Sequence, residues 1–546
     1  MIVPFPNLTY ALGLCALAGI TSHLGYFIKG EHHMQTPRLV TYSILSFIAV
    51  TTFQVMLYKF AMRDALGNTS LMAIAYLSAL LSSVLIYRQY FHPLRHFHGP
   101  KLMGLTKLEH VFRSRKFDNY RQLDEIHSTY GDFVRTGPNE LTIFRAAALP
   151  ILLGSRSRCI KAPWYDFSTP NVSLVTTRDR SFHDHKRRVW DHAFSMKALD
   201  QYEPRVLKLT NLLEKTLARG AGQPVEATKL FYRYTFDVMG DVSFDTKFNM
   251  LQGADVEEII ETFQAGAGAR ALLTPVPWLF ELIKAIPGAA WKWRRLFQQA
   301  HIILEKRLKS EPENPDILAW LIEAYRTEIK KDEQMPSLEG DVVLAIIAGS
   351  DTTASALTFL FYHLALEPSI AETLRQELEQ ANDIRDDHAL QGLPYLNGII
   401  NETLRLHPPV PGGMPRSTPP EGIVIDDQYI PGGVTCVAPN YTIARMESCF
   451  TNAISFVPER WSTAPEMIKD KTAFAPFSLG PYNCVGSRLA LKELRLATSI
   501  IVQSFDVSLA PGETGHAITD DMQDIFTVMP GPLMLVFKKR EGSKIA

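Results

Sequence analysis

Phe477-Ser-Leu-Gly480-Pro-Tyr482-Asn-Cys484-Val-Gly486, running straight into Ser487-Arg-Leu-Ala-Leu-Lys-Glu-Leu-Arg-Leu496, is the stretch on which the reading of this chain turns. One cysteine, Cys484, stands between two glycines ahead of a run with helix formers and an apolar face through Leu489, Leu491, Leu494 and Ala497. The unpaired N–H groups and positive dipole end of a helix start favour the thiolate, the metal-binding form of cysteine. Gly480 and Gly486 allow a sharp turn and the close approach of a flat ligand. Phe477 is placed to lie over the sulfur and limit its contact with water. The ordinary alternative is a buried free cysteine at the head of a core helix.

Composition narrows the rest. Across 546 residues, 56 basic and 57 acidic side chains nearly cancel, so nucleic-acid binding through bulk charge is not expected. A hydrophobic fraction of 46% supports a large core. Cys15, Cys159, Cys436, Cys449 and Cys484 are scattered, odd in number and form no C-x-x-C pair. That pattern disfavours a disulfide framework or structural zinc and suits a reducing compartment.

Three apolar stretches open the chain, at residues 8–28, 39–61 and 71–87. Each is about long enough to cross a bilayer, the third barely. Ser43, Ser46, Thr51, Thr52 and Gln54 make the second the weakest, so two or three spans are expected, with three preferred. No basic segment precedes the first, which reads as an anchor and not a signal peptide. Arg88, Arg95, Lys101, Lys107, Arg113, Arg115 and Lys116 follow the third, placing the remainder in the cytosol and the N-terminus in the lumen. His92-Pro93-Leu94 and His98-Gly99-Pro100 read as a stiff, non-helical linker. The expected organisation is an anchor at 1–90, a linker at 91–100 and one globular domain at 101–546. Within it, 132–137 and 141–144 form a hairpin about Pro138-Asn139-Glu140. Helical patterns fill 180–410, broken at Pro224, Pro275–Pro277, Pro287, Pro312–Pro315 and Pro336, and 421–433 and 525–537 look like short strands. The fold class is therefore mainly α with a minor β-sheet.

Three further constellations carry information. Asp341–Leu366 reads as one helix of about 39 Å, with Ala348-Gly349-Ser350-Asp351-Thr352-Thr353 at its middle. Gly349 there serves either close helix packing or a groove for a flat cofactor, and an acid beside an alcohol can pass protons. Glu402 and Arg405, at i, i+3 in an apolar helix, are followed by Pro458-Glu459-Arg460. The charged run His183–Ser195 holds His183 and His185, with no Cys or carboxylate cluster to complete a metal site.

F-x-x-G-x-x-x-C-x-G before a helix resembles the haem-binding loop of the cytochrome P-450 family. A-G-S-D-T-T at 348–353 resembles that family's oxygen-activation motif, and E-x-x-R with P-E-R its structural network. Tyr130–Leu141 is similar to the first sheet of fungal members, so the resemblance spans roughly 90–540. It implies a P-450 fold in which Cys484 ligates the iron of haem b. Asp351 and Thr352 would deliver protons, and Glu402, Arg405 and Arg460 would brace the haem-side core. Phe477, Gly480 and Gly486 would shape the loop. Arg187 and Arg416 would bind the haem propionates, with His183 where a Trp commonly stands. Tyr482 departs from the family, which usually has Arg there on a propionate, so restoring Arg is expected to strengthen haem retention.

The implied activity is insertion of one oxygen atom from O₂ into a lipophilic small molecule, by hydroxylation or epoxidation. Electrons would come from NADPH through a membrane-bound reductase, with cytochrome b5 as a second donor. Lys186, Arg188, Arg488 and Lys492 are candidates for a basic face toward that reductase. The setting is the endoplasmic reticulum membrane, the role a tailoring step of fungal secondary metabolism on a terpenoid, indole or polyketide skeleton. Ile346, Ile347, Val410–Met414 and Phe526–Met529 are the expected pocket residues. A haem-thiolate isomerase or dehydratase that does not use O₂, and a non-catalytic membrane haem protein, are the alternatives.

Overall fold

The computed structural model describes residues 7–253, 268, 271–327 and 331–542. Chain contacts divide it into two units, one of 1–112, 134–141 and 273–290, the other of 113–133, 142–272 and 291–546.

The first unit holds the apolar helices. Leu8–Ser22 continues as a π-turn to Phe27, Thr36–Tyr58 follows, and Met62–Ile86 continues to Phe91. All three are long and apolar enough to cross a membrane, and the third begins well before the expected residue 71. Gly19 lies so close to the Tyr76 carbonyl that a Cβ would overlap it, a small-residue contact that lets two helix backbones meet. Two of the polar residues that weakened the second stretch, Thr51 and Gln54, bond to the third helix. Thr51 Oγ1 donates to Thr69 Oγ1 at 3.1 Å, and Gln54 Nε2 donates to the same oxygen at 3.0 Å. Leu14, Leu17, Leu45, Ile48, Leu77 and Leu81 are more than half exposed, an outward apolar surface suited to lipid. The chain is thus membrane-anchored in character. The linker is not wholly non-helical: Pro93–His96 forms one 3₁₀ turn. Proline's fixed φ suits a first helical turn, and His92 Nδ1 caps it by accepting from Leu94 N–H at 3.1 Å.

The second unit is helical with small sheets. Its axis is Lys331–Leu366, 36 residues or about 54 Å. The expected break at Pro336 does not occur. Pro336 sits near the helix start, where one intrahelical hydrogen bond is forgone. The turns around it are bonded to the chain at 171–174: Asn171 Nδ2 donates to Glu339 Oε2 at 2.7 Å, and Leu174 N–H donates to Asp341 Oδ1 at 2.9 Å. This helix also meets the length and hydropathy of a membrane span, yet 67% of its apolar window is buried inside the protein. Ala227–Phe244 packs along it, with Thr235 Oγ1 donating to the Ser350 carbonyl at 3.1 Å. Met534–Lys539 pairs antiparallel with Phe505–Leu509 and Pro224–Glu226. Ile423–Ile425 and Gln428–Ile430 make a hairpin. Arg416–Ser417 lies between Ile160–Lys161 and Thr435–Val437, and this register sets Lys161 directly opposite Arg416.

Candidate active site

Cys484 N–H donates to the Phe477 carbonyl at 2.9 Å, closing the loop just ahead of the helix Ser487–Ser504. Gly480 has φ +64, and a Cβ there would overlap the backbone at Leu153 and Gly154. Its close approach is therefore to the chain itself and not to a flat ligand. At Gly486, by contrast, a Cβ would meet only the Phe194 ring edge at 3.6 Å and the Cys484 sulfur at 4.0 Å. Gly486 and Cys484 line a largely apolar cavity of about 250 Å³. The sulfur is exposed to this cavity. Burial pushes its thiol above the ordinary range, against the N–H groups of Gly486 and Ser487 and the charge of Arg187, which pull the other way. The helix start favours the thiolate as expected, but desolvation outweighs it.

The opposing lining comes from the long helix. Leu344, Ala345, Ala348, Gly349, Thr352 and Thr353 face the cavity, a stripe with helical spacing. Ile346 and Ile347 fall outside that stripe: Ile346 is 2% exposed within the core, and Ile347 packs against it. The expectation that they line the pocket is corrected by this helical phase. Val410, Met414, Phe526 and Thr527 do line it. Gly349 serves packing as well, because a Cβ would overlap the Met239 thioether. Thr352 Oγ1 donates to the Ala348 carbonyl at 2.7 Å. Asp351 is buried one residue earlier, outside the cavity lining, and lies near Tyr232, whose phenol is raised by burial and by this carboxylate.

Arg187, His183, Arg416, Phe477 and Tyr482 all reach the cavity wall. Arg187 Nη1 donates to the Asn483 carbonyl at 2.8 Å, and its Nε to Asp191 at 2.8 Å. His183 sits edge-on to the Tyr482 ring, centroids 4.5 Å apart, and burial holds its imidazole down at about 4. Around that same ring stand Lys161 Nζ at 4.8 Å, Arg416 at 5.1 Å and Arg180 at 5.2 Å from the centroid. An arginine at 482 would enter a cluster of like charges, so the structure argues against the expected gain in haem retention. Lys161, Thr353 and Glu493 are cavity residues the sequence reading missed. Glu493 lies nine residues after Cys484, is 1% exposed, and its Oε2 has no hydrogen-bond partner. Burial raises its carboxyl well above the usual range.

Glu402, Arg405 and Arg460 come together away from the cavity. Arg405 holds Glu402 bidentately at 2.9 and 2.8 Å, and Arg460 Nε donates to Glu402 Oε1 at 3.0 Å. Trp461 Nε1 adds a fourth bond at 2.9 Å. Two guanidiniums on one carboxylate leave a net positive charge in a fully buried site. The carbonyls of Ala444, Thr451, Ala453 and Ser455 accept from them and disperse it.

The basic face is reduced. Lys492 is buried and bonded to Glu203, and Lys186 pairs with Asp341 at 2.5 Å. Only Arg188 and Arg488 of the four remain exposed, because the other two ammonium groups neutralise carboxylates of neighbouring helices.

The family model for cytochrome P-450 matches residues 104–537. A cytochrome P-450 monooxygenase, notG', of Aspergillus versicolor is 36% identical over 99% of this chain and 100% of its own length. Tryprostatin B 6-hydroxylase of Aspergillus fumigatus is 36% identical over 97% of this chain and 96% of its own. In fold, the crystal structure of the cytochrome P-450DA heme domain superposes with a TM-score of 0.65 at 19% identity, covering 78% of this chain and 94% of that one. With one cysteine opening into a largely apolar cavity and these full-length likenesses, the chain belongs to the cytochrome P-450 family of haem-thiolate monooxygenases.

Proposed function

We propose that this chain hydroxylates or epoxidises a lipophilic molecule in a tailoring step of fungal secondary metabolism. Electrons would reach it from NADPH through a membrane-bound reductase, with cytochrome b5 as an auxiliary donor, at the endoplasmic reticulum. The catalytic part, 101–546, would face the cytosol and the N-terminus the lumen, with 1–90 as anchor. The observation that carries the reading is that Cys484 shares one largely apolar cavity with Thr352. The residues fit a haem: a single soft sulfur donor, apolar walls for the ring, and two cations, the partly exposed Arg187, which also holds Asp191, and the buried Arg416, for its acidic edge. Bound at Cys484, haem supplies the activation of O₂.

The remaining steps belong to the chain. Leu344, Ala345, Val410 and Phe526 hold an apolar substrate and exclude water. Thr352, bonded to Ala348, keeps its oxygen lone pairs available to accept a proton and pass one on. Asp351, next to it on the helix, is the nearest acid on that segment and acts as the proton source. Glu402, Arg405 and Arg460 hold the loops at 444–461 and take no part in the chemistry. Tryprostatin B 6-hydroxylase, a full-length relative, is by its name a hydroxylase, which supports oxygen insertion over an isomerase or a haem carrier.

The test is turnover of the purified chain with reductase, NADPH and ¹⁸O₂ on a panel of lipophilic extracts. One ¹⁸O atom in the product, with matching NADPH consumption, is expected. A rearranged or dehydrated product without ¹⁸O would overturn the reading.

A further inference from the structure

We propose that Lys161, beside Arg416, binds a haem carboxylate in this chain and takes over the role of the cation that Tyr482 displaces. This rests on the haem-thiolate reading above. Lys161 and Arg416 are cross-strand partners in the sheet, are 3% and 1% exposed, and both line the cavity. Neither is paired with a carboxylate among the described residues. Lys161 Nζ donates only to the Leu174 carbonyl at 2.9 Å. Arg416 Nη1 donates to the Tyr165 hydroxyl at 2.9 Å and the Pro415 carbonyl at 3.0 Å, while its Nε has no partner.

A protonated Lys161 beside the buried Arg416, with no counter-charge, is unfavourable, and an anion in the cavity resolves that. The neighbouring cations, by contrast, already hold carboxylates of the chain. Arg180 and His183 share Asp184, Arg187 holds Asp191, and Arg178, which donates to the Lys161 carbonyl, holds Asp166. Tyr482 completes the arrangement. Its ring face attracts both cations without adding a third charge between them.

One consequence is proton uptake. Burial, then the charges of Arg416 and Arg180, hold Lys161 down at about 6. A carboxylate beside it favours the ammonium, so the lysine gains its proton as the anion arrives. Affinity for the anion then falls as pH rises above about 6.

The experiment compares full-length wild type, Lys161→Met and Lys161→Arg, each loaded with haem or with haem dimethyl ester, whose carboxylates are blocked. The readout is release of the porphyrin to a scavenger apoprotein between pH 6 and 9. Haem should leave Lys161→Met about tenfold faster or more than wild type, the size of one charge-assisted hydrogen bond. Release of the ester should be unchanged, and Lys161→Arg should retain haem nearly as long as wild type. Wild type alone should lose haem, and not the ester, faster as pH rises. Equal acceleration for haem and ester would assign Lys161 to packing and overturn the proposal, as would haem loss from Lys161→Arg equal to that from Lys161→Met. Should Lys161→Met not fold, the wild-type comparison of haem with ester across pH decides alone. Failure of the underlying reading is separately visible, because wild type would then lack the spectrum of sulfur-ligated haem.

Discussion

Replacing Tyr482 with arginine restores the residue common in the family, and here it should weaken haem retention. The tyrosine ring lies against Arg416, which is buried, and Arg180, which is half-exposed, at 5.1 and 5.2 Å. A desolvated cation–π contact contributes about 2 kcal/mol and an exposed one about 0.5–1, so removing the ring costs about 2–3 kcal/mol. A new guanidinium some 5 Å from Arg416 adds repulsion of up to about 3 kcal/mol at an effective dielectric of 20. Tyr482→Phe keeps the ring face and should behave as wild type, whereas Tyr482→Arg should melt lower. Thermal unfolding followed by circular dichroism, alongside haem release to a scavenger, reads both effects. A Tyr482→Arg protein that melts as high as wild type and holds haem longer would show that the ring is not needed against these cations.

Other consequences follow from the buried charges. Glu402→Gln leaves two guanidiniums without their carboxylate and should destabilise by about 3–5 kcal/mol, read as loss of folded, haem-loaded protein on expression. His363 and His407 touch at 2.9 Å between Nε2 atoms, and burial holds His363 at about 3. The folded state therefore binds fewer protons than the unfolded one, and stability should fall as pH drops from about 6.5 toward 3, a slope that His363→Phe should reduce. Glu493 shows the opposite sign: its raised carboxyl makes stability fall as pH rises above about 4.5, so Glu493→Gln should gain most relative to wild type at alkaline pH. A His363→Phe protein whose stability falls as steeply in acid as wild type, or a Glu493→Gln protein that gains nothing at alkaline pH, would contradict these assignments.

The sequence was legible wherever one local rule dominated. The cysteine loop, the long helix with its small-residue middle and the E-x-x-R pair each carry their geometry in spacing, and the structure places Cys484 and Thr352 on one cavity. Other features depended on partners far along the chain. Pro336 is tolerated because Asn171 and Leu174 bond the turns after it, and Lys492 is hidden because Glu203 meets it across helices. Ile346 and Ile347 were misplaced by helical phase, which an apolar run cannot fix when both faces are buried. Lys161 carried no signal: it lies on a two-residue strand whose pairing with Arg416 is set over 250 residues of chain. Tyr482 was visible as a departure, but its meaning required the cations around it.

Every role assigned to the cavity residues requires that the Cys484 sulfur ligate haem iron. The direct measurement is the absorption spectrum of the reduced, carbon-monoxide-treated protein. Wild type should show the red-shifted Soret band of thiolate-ligated haem, and Cys484→Ala should lack it. A wild-type protein without that band, or a Cys484→Ala protein that keeps it, would contradict the account.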